Sequence, residues 1–165
     1  MKKTIRIFLV LLVCLLAAFS FGCGDNNATY DDDAKIAGSG DSSSTSSSSM
    51  YIFGDDFTQT AVITGTRTIW RYKADHDFDL TISYLLSVSE GGKAKLVLIS
   101  PDDKVTTIIE NADNTVYDEM KTKSIALKKG VNRIKIVGQE KPKFELKLHI
   151  EEGRYITDRD SDRDD

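Results

Sequence analysis

Histidine, cysteine, proline and tryptophan are all scarce in this 165-residue chain, which has two, two, two and one of them. Two cysteines are too few for a disulfide-dense scaffold or a four-thiolate zinc site. The two histidines, His76 and His149, leave little for histidine-based acid–base or nucleophilic chemistry. No GxSxG elbow, HExxH helix, GxxxxGK(S/T) loop or GxGxxG fingerprint occurs, so the signatures of serine hydrolases, zincins, P-loop proteins and dinucleotide enzymes are missing. Positive charge is not in excess either. With 22 Lys and Arg against 26 Asp and Glu the formal net charge is −4, which removes the electrostatic ground for nucleic-acid binding.

The chain has one long hydrophobic run, and it comes first. Lys2, Lys3 and Arg6 precede an apolar stretch over residues 7–19, followed by Ser20-Phe21-Gly22-Cys23. A charged start, a short apolar run and small residues before a cut describe a secretory signal peptide. The run is too short for a spanning helix of about 20 residues, so it reads as an export signal and not a permanent anchor. Gly22-Cys23 at its end resembles the lipobox of bacterial lipoproteins. That resemblance implies cleavage after residue 22, diacylglycerol and palmitate-class acyl chains on Cys23, and a cell-membrane location facing the extracytoplasmic side. Cys14 leaves with the signal, so the folded part is expected to have no thiol chemistry.

Composition divides the rest. Residues 23–49 carry Asp25, Asp31, Asp32, Asp33 and Asp41 and eight serines between Ser39 and Ser49, and read as an acidic, serine-rich flexible linker. Residues 50–153 are nearly neutral, with 15 basic and 16 acidic side chains, and carry the folded domain. Residues 154–165, ending in alternating Asp and Arg, read as a disordered acidic tail.

Within the domain the period is two. Phe78, Leu80, Ile82, Tyr84, Leu86 and Val88 share one parity, and Phe144, Leu146, Leu148 and Ile150 another, with polar residues between. Lys95-Leu96-Val97-Leu98-Ile99 is apolar on both faces and predicts a more central strand. Further strands are expected over 60–64, 66–73, 105–109, 123–128 and 133–136, with residues 110–121 a loop or one short helix. Turn chemistry lies at Gly91-Gly92, Pro101-Asp102-Asp103, Lys129-Gly130 and residues 139–142. About eight strands without a helical period predict an all-β fold, an antiparallel β-sandwich or jelly roll.

Candidate site residues each carry two readings. Trp70 and Tyr72 either form an apolar platform for a ligand or point into the core, since Arg67, Arg71 and Lys73 hold the opposite parity. Lys128, Lys129 and Arg133, with Lys121, Lys123 and Lys135, form a basic ridge for an anionic partner, or simply keep sheet edges from aggregating. Asp75, Asp77 and Asp79 alternate as Ca2+ ligands in an extended loop would, or are a solvated bend. Asp158, Asp160 and Asp162 mimic only the start of an EF-hand loop. His149 sits on the polar parity of its strand and reads as a surface residue.

The run from Trp70 to Ile99 followed by the Leu127-Lys128-Lys129-Gly130 turn and its flanking strands resembles the small β-sandwich appendages of secreted bacterial proteins. These are the pre-peptidase C-terminal type and jelly-roll carbohydrate-binding modules. The resemblance implies a non-catalytic binding or adhesion module for envelope or extracellular polysaccharide. The alternatives are a structural or assembly lipoprotein that binds another envelope protein through a sheet edge, and a hydrolase working through carboxylates, for which no sequence signal selects an acid and base. No cofactor is expected.

Overall fold

The computed structural model describes residues 26–157. The signal segment, Cys23 and residues 158–165 therefore lie outside the described residues, as do the expectations placed on them. Among the described residues no helix is long and apolar enough to cross a membrane.

A 3-10 turn (Asn26–Thr29) and a short helix α1 (Asp33–Ala37) lead into nine strands: β1 (Ser42–Phe53), β2 (Asp56–Ala74), β3 (Phe78–Glu90), β4 (Lys93–Ile99), β5 (Val105–Ala112), β6 (Lys121–Leu127), β7 (Gly130–Gln139), β8 (Lys143–His149) and β9 (Arg154–Tyr155). All pairings are antiparallel, in the order β5-β4-β7-β2-β8-β3-β6, with β1 and β9 also on β2. The strands expected at 60–64 and 66–73 are one long strand, β2, and the 110–121 region is the end of β5 followed by a loop that bridges to Val88 through Thr115.

The registers explain how one sheet makes a sandwich. β1 and β8 both pair with the first half of β2, so they occupy opposite edges of it. β7 pairs with the second half, opposite β1 at Gly65 and Thr66. β7 and β8 thus lie end to end along one edge of β2. β4 and β3 follow them on the next row, and β5 and β6 on the last. Every row breaks at the same level: a register shift between Ser46 and Ser49, Gly65 at φ 101°, Glu140 and Lys141 at φ 63° and 57°, and Gly91-Gly92. Along this crease the sheet folds onto itself. A Cβ at Gly65 would lie 1.9 Å from the Ser42 carbonyl oxygen, and one at Gly92 1.8 Å from that of Gln139, so the crease admits glycine alone at these two points.

The inward faces of both halves meet in one core. Leu80, Ile82, Leu86, Val88, Phe144, Leu146 and Leu148 from one half pack with Leu96, Leu98, Ile134 and Ile136 from the other. This is the parity the alternation predicts, and the architecture is an all-β antiparallel sandwich.

Val97, Ile99 and Val137 face outward from the second half, which leaves an apolar patch to be covered. The cover is the N-terminal segment. Tyr30, Ile36 and Ala37 are buried on that patch, and the Tyr30 hydroxyl donates to Glu110 at 2.9 Å. Burial and the Glu110 carboxylate both push the Tyr30 phenol well above its usual range. Here the structure differs from the linker expected over residues 23–49. Three apolar side chains, set among acidic and small residues, suffice because a matching patch takes them up. The serine run forms β1 for a different reason. Its side chains are exposed, and the strand is held by backbone pairing to β2 from Ser42↔Thr66 to Phe53↔Asp56. Backbone ladders need no apolar period, and β1 covers an edge that β2 would otherwise leave open.

The far end shows the same effect. Arg154 and Tyr155 pair with Arg71 and Trp70, and the Ile156 amide donates to the Ile69 carbonyl at 2.9 Å. Tyr155 stacks on Phe57 with centroids 5.1 Å apart and Ile156 is buried, so the start of the expected 154–165 tail belongs to the fold.

Candidate functional site

Trp70 is fully buried, and its Nε1 donates to the Glu152 carbonyl at 2.8 Å. The β9 return closes over it, so its ring offers no face to a ligand, which corrects the platform reading. Tyr72 stacks beside it with centroids 6.0 Å apart, half-buried at the edge of the core.

The basic ridge is not continuous. Lys128 Nζ donates to Asp77 at 2.8 Å and the Lys129 amide to the same carboxylate at 2.7 Å, which tie the β6–β7 turn to the bend before β3. Lys121 lies over the Tyr117 ring at 4.2 Å, and Lys123 Nζ donates to the Ile108 carbonyl at 3.0 Å. Arg133 donates to the carbonyls of Ala37 at 2.7 Å and Gly38 at 3.0 Å, and to Asp103 at 3.2 Å. Lys135 has no exposed surface. Its Nζ meets the Gly38 and Gly40 carbonyls at 2.8 and 2.9 Å and Asp41 at 3.1 Å. Arg133 and Lys135 thus clamp the C-terminal end of α1, where carbonyls carry partial negative charge. Burial pushes the Lys135 ammonium below its usual range, against the pull of Asp41.

The alternating carboxylates do not converge. Asp77 is turned onto the Lys128-Lys129 turn, and the Lys128 ammonium holds it below the usual carboxylate range. Among the described residues no group of three or more His, Cys, Asp or Glu side chains could hold a metal ion.

A different aromatic pair occupies the surface. Tyr51 and Phe53 are 65 % and 70 % exposed on the outer face of β1. Met50 and Ile52, between and before them, turn inward against the core. Two residues apart on a strand, their Cα atoms are about 6.8 Å apart, and the two rings offer adjacent apolar surfaces on one face. Register places polar side chains beside them: Phe53 opposite Asp56 and then His149, Tyr51 opposite Thr58 and then Lys147. His149 Nδ1 lies 2.9 Å from Asp56, and Lys147 Nζ 2.9 Å from Glu145. The hairpin tip that carries the rings is pinned, because the Asp55 carbonyl accepts from the Ile150 amide at 3.0 Å and the Tyr155 hydroxyl at 2.8 Å. Sequence reasoning passes over this pair because Met50-Tyr51-Ile52-Phe53 is apolar throughout and shows no parity. The one available signal was two aromatics at a spacing of two beside a serine run.

No family model and no curated protein sequence matches the chain. Among solved structures it is similar to a family 29 carbohydrate-binding module, with TM-score 0.35, 10 % identity, and coverage of 68 % of this chain and 76 % of that one. A variant of such a module complexed with mannohexaose gives TM-score 0.38, 10 % identity and coverage of 69 % and 83 %. A structure described as "CBM4 structure and function" gives TM-score 0.34, 13 % identity and coverage of 76 % and 96 %.

Proposed function

We propose that this chain is a lipid-anchored, non-catalytic binding module for polysaccharide, held on the extracytoplasmic side of the cell membrane by acyl chains on Cys23. The observation that carries the binding role is the exposed Tyr51 and Phe53 pair. Aromatic faces left in water on a pinned strand cost solvation that folding does not recover, and they suit the apolar C–H faces of sugar rings. Asp56, Thr58, Lys147 and His149 lie on the same face and supply donors and acceptors for hydroxyl groups. Anchoring rests on the signal segment and Gly22-Cys23. With Asn26 already in the fold, three peptide links separate it from Cys23, about 10 Å of chain at full extension, so the module would ride close to the bilayer.

The test is affinity electrophoresis of the full chain in detergent through gels containing individual polysaccharides. Retardation in at least one gel is expected, lost in a Tyr51→Ala/Phe53→Ala variant of unchanged melting temperature. Retention in no gel, or equal retention by the variant, overturns the binding role. Capture of one defined envelope protein without glycan retention would shift the reading to assembly through the β1 edge. Anchoring is tested separately: Cys23→Ser should abolish fatty-acid labelling and membrane partitioning.

A further inference from the structure

β1 lies at the rim of the sheet with one long side in water. It pairs with β2 alone, over Ser42–Phe53, and no other strand among the described residues meets its outer edge. Open edges template the pairing of further strands, and charged side chains are a common guard against it. The other outer strands carry that guard: Lys121 and Lys123 on β6, Glu110 on β5 and Arg154 on β9. The twelve residues of β1 hold no charge and no proline. A bulge, where the register shifts between Ser46 and Ser49 and Ser47 takes φ 52°, divides this edge and leaves residues 49–53 as a regular stretch next to the hairpin tip. Backbone direction there follows from the turn. Phe53 and Asp56 flank the two residues Gly54 and Asp55, so they bond to each other, and by alternation Tyr51 and Ser49 also bond toward β2. The amides and carbonyls of Met50 and Ile52 therefore point to the open side.

We propose that this edge pairs with the same edge of a second copy of the chain, about a two-fold axis at Tyr51. Antiparallel pairing there sets Met50 opposite Ile52 of the second copy in bonded pairs, so each open amide meets a carbonyl. It sets Tyr51 opposite its counterpart in the close, non-bonded pair and Phe53 opposite Ser49. Charge does not oppose this. Asp56 is the one charged residue on the adjoining stretch of β2, residues 56–60, and its two copies would stand at least three inter-strand gaps apart, about 14 Å, beyond the screening length of about 8 Å. An uncharged edge also gives a foreign strand no ionic pattern to read, whereas the chain's own edge matches it in backbone and in apolar rings. Tyr51 and Phe53, 65 % and 70 % exposed, leave about 200–350 Å² per copy in water. The pairing lays each Tyr51 beside its counterpart and diagonal to Phe53 of the other chain, within reach of both rings. Paired, the copies would present four rings on one face, a longer track for a polymer. That consequence rests on the polysaccharide reading above, and the pairing itself does not.

So short a contact is smaller than the roughly 1,200 Å² of stable complexes, so the pair is concentration-dependent and cross-linking is the fitting readout. Opposed residues of a non-bonded pair have Cα atoms about 4.5 Å apart, inside the disulfide range of about 4.4–6.8 Å. The full chain in detergent, without polysaccharide, is prepared as Tyr51→Cys, Ser49→Cys and Phe53→Cys. Val116→Cys, at a loop position 66 % exposed, controls for random collision, and the unsubstituted chain controls for Cys14 and Cys23. On oxidation Tyr51→Cys should form several-fold more disulfide dimer than Val116→Cys. Ser49→Cys mixed with Phe53→Cys should cross-link several-fold more than either alone. Adding Tyr51→Lys to both chains of that mixture opposes two ammonium groups at the axis and should return the yield to the collision level. A Tyr51→Cys yield no higher than that of Val116→Cys, or no gain in the mixture, overturns the proposal. So does a Tyr51→Cys chain that bonds a different envelope protein in intact cells and never itself, since the edge would then serve a foreign strand. The yields are read without glycan, so failure of the polysaccharide gels leaves them unchanged and the two readings fall separately.

Discussion

Ile36→Ala tests whether the N-terminal segment is part of the folded unit. A five-residue helix has no stability of its own, because nucleation costs more than so few hydrogen bonds return. α1 therefore stays in place through the contacts of Tyr30, Ile36 and Ala37 with Val97, Ile99 and Val137, and through the Arg133 and Lys135 clamp. Ile36 has no exposed surface. Truncating such a side chain loses its transfer free energy and leaves a cavity, about 2–4 kcal/mol together. At about 3 kcal/mol the urea midpoint falls by roughly 1–2 M. The melting temperature should drop by about 6–12 °C. Trp70, the one tryptophan and fully buried, reports the transition. Lys35→Ala is the matched control. Lys35 lies on the exposed face of the same helix, beside Asp32, so its loss should stay within about 0.5 kcal/mol. If Ile36→Ala is as silent as Lys35→Ala, the segment is a tether and the docking described above is wrong.

Three further outcomes follow from the same contacts. Asp41→Ala removes a carboxylate that Lys135 meets and also strips the Thr68 amide and hydroxyl of their acceptor, so it should cost about 1–3 kcal/mol in urea unfolding. Adding Lys135→Met should recover part of that loss, and strict additivity of the two changes would refute the coupling. Gly65→Ala places a Cβ 1.9 Å from a backbone oxygen at φ 101°, so a loss above about 2 kcal/mol, or no soluble folded protein, is expected by circular dichroism. Asp77 is held low by Lys128, Asp32 by the Lys35 amide and Asp102 by the Ser100 hydroxyl. Their folded pKa values lie below the unfolded value of about 3.9. Stability from these groups is therefore present above about pH 4 and lost as pH falls through the folded values. Urea midpoints measured from pH 6 to pH 2 should show that decline, and Asp77→Asn should make it shallower.

Alternation over residues 78–88 and 144–150 was enough to place β3 and β8 and to say which side chains they bury, because a strand with one wet face must repeat every second residue. The doubly apolar Lys95-Leu96-Val97-Leu98-Ile99 run likewise announced a strand covered on both sides, and it is. What covers it was invisible. Tyr30 and Ile36 are too sparse to form a pattern, and they acquire meaning only when β4 and β7 present a patch of matching shape. β1 is held by backbone hydrogen bonds, which leave no trace in side-chain polarity. Parity turned Trp70 toward the core, and the β9 return that closes over it came from the tertiary structure.

The exposed aromatic pair belongs to this second kind of information. Tyr51 and Phe53 face water because Met50 and Ile52 take the inward positions, a choice made by the register of β1 on β2. Arg71 and Arg154 stand far apart in the sequence, and they come into register with Arg133 only because β7 and β9 flank β2 at that one level. Local composition and period determine which residues make strands and which faces turn inward, since those depend on near neighbours in the chain. Which strands become neighbours, where the sheet creases, and which distant charges and rings share a face are decided by long-range pairing, and that exists only in the folded molecule.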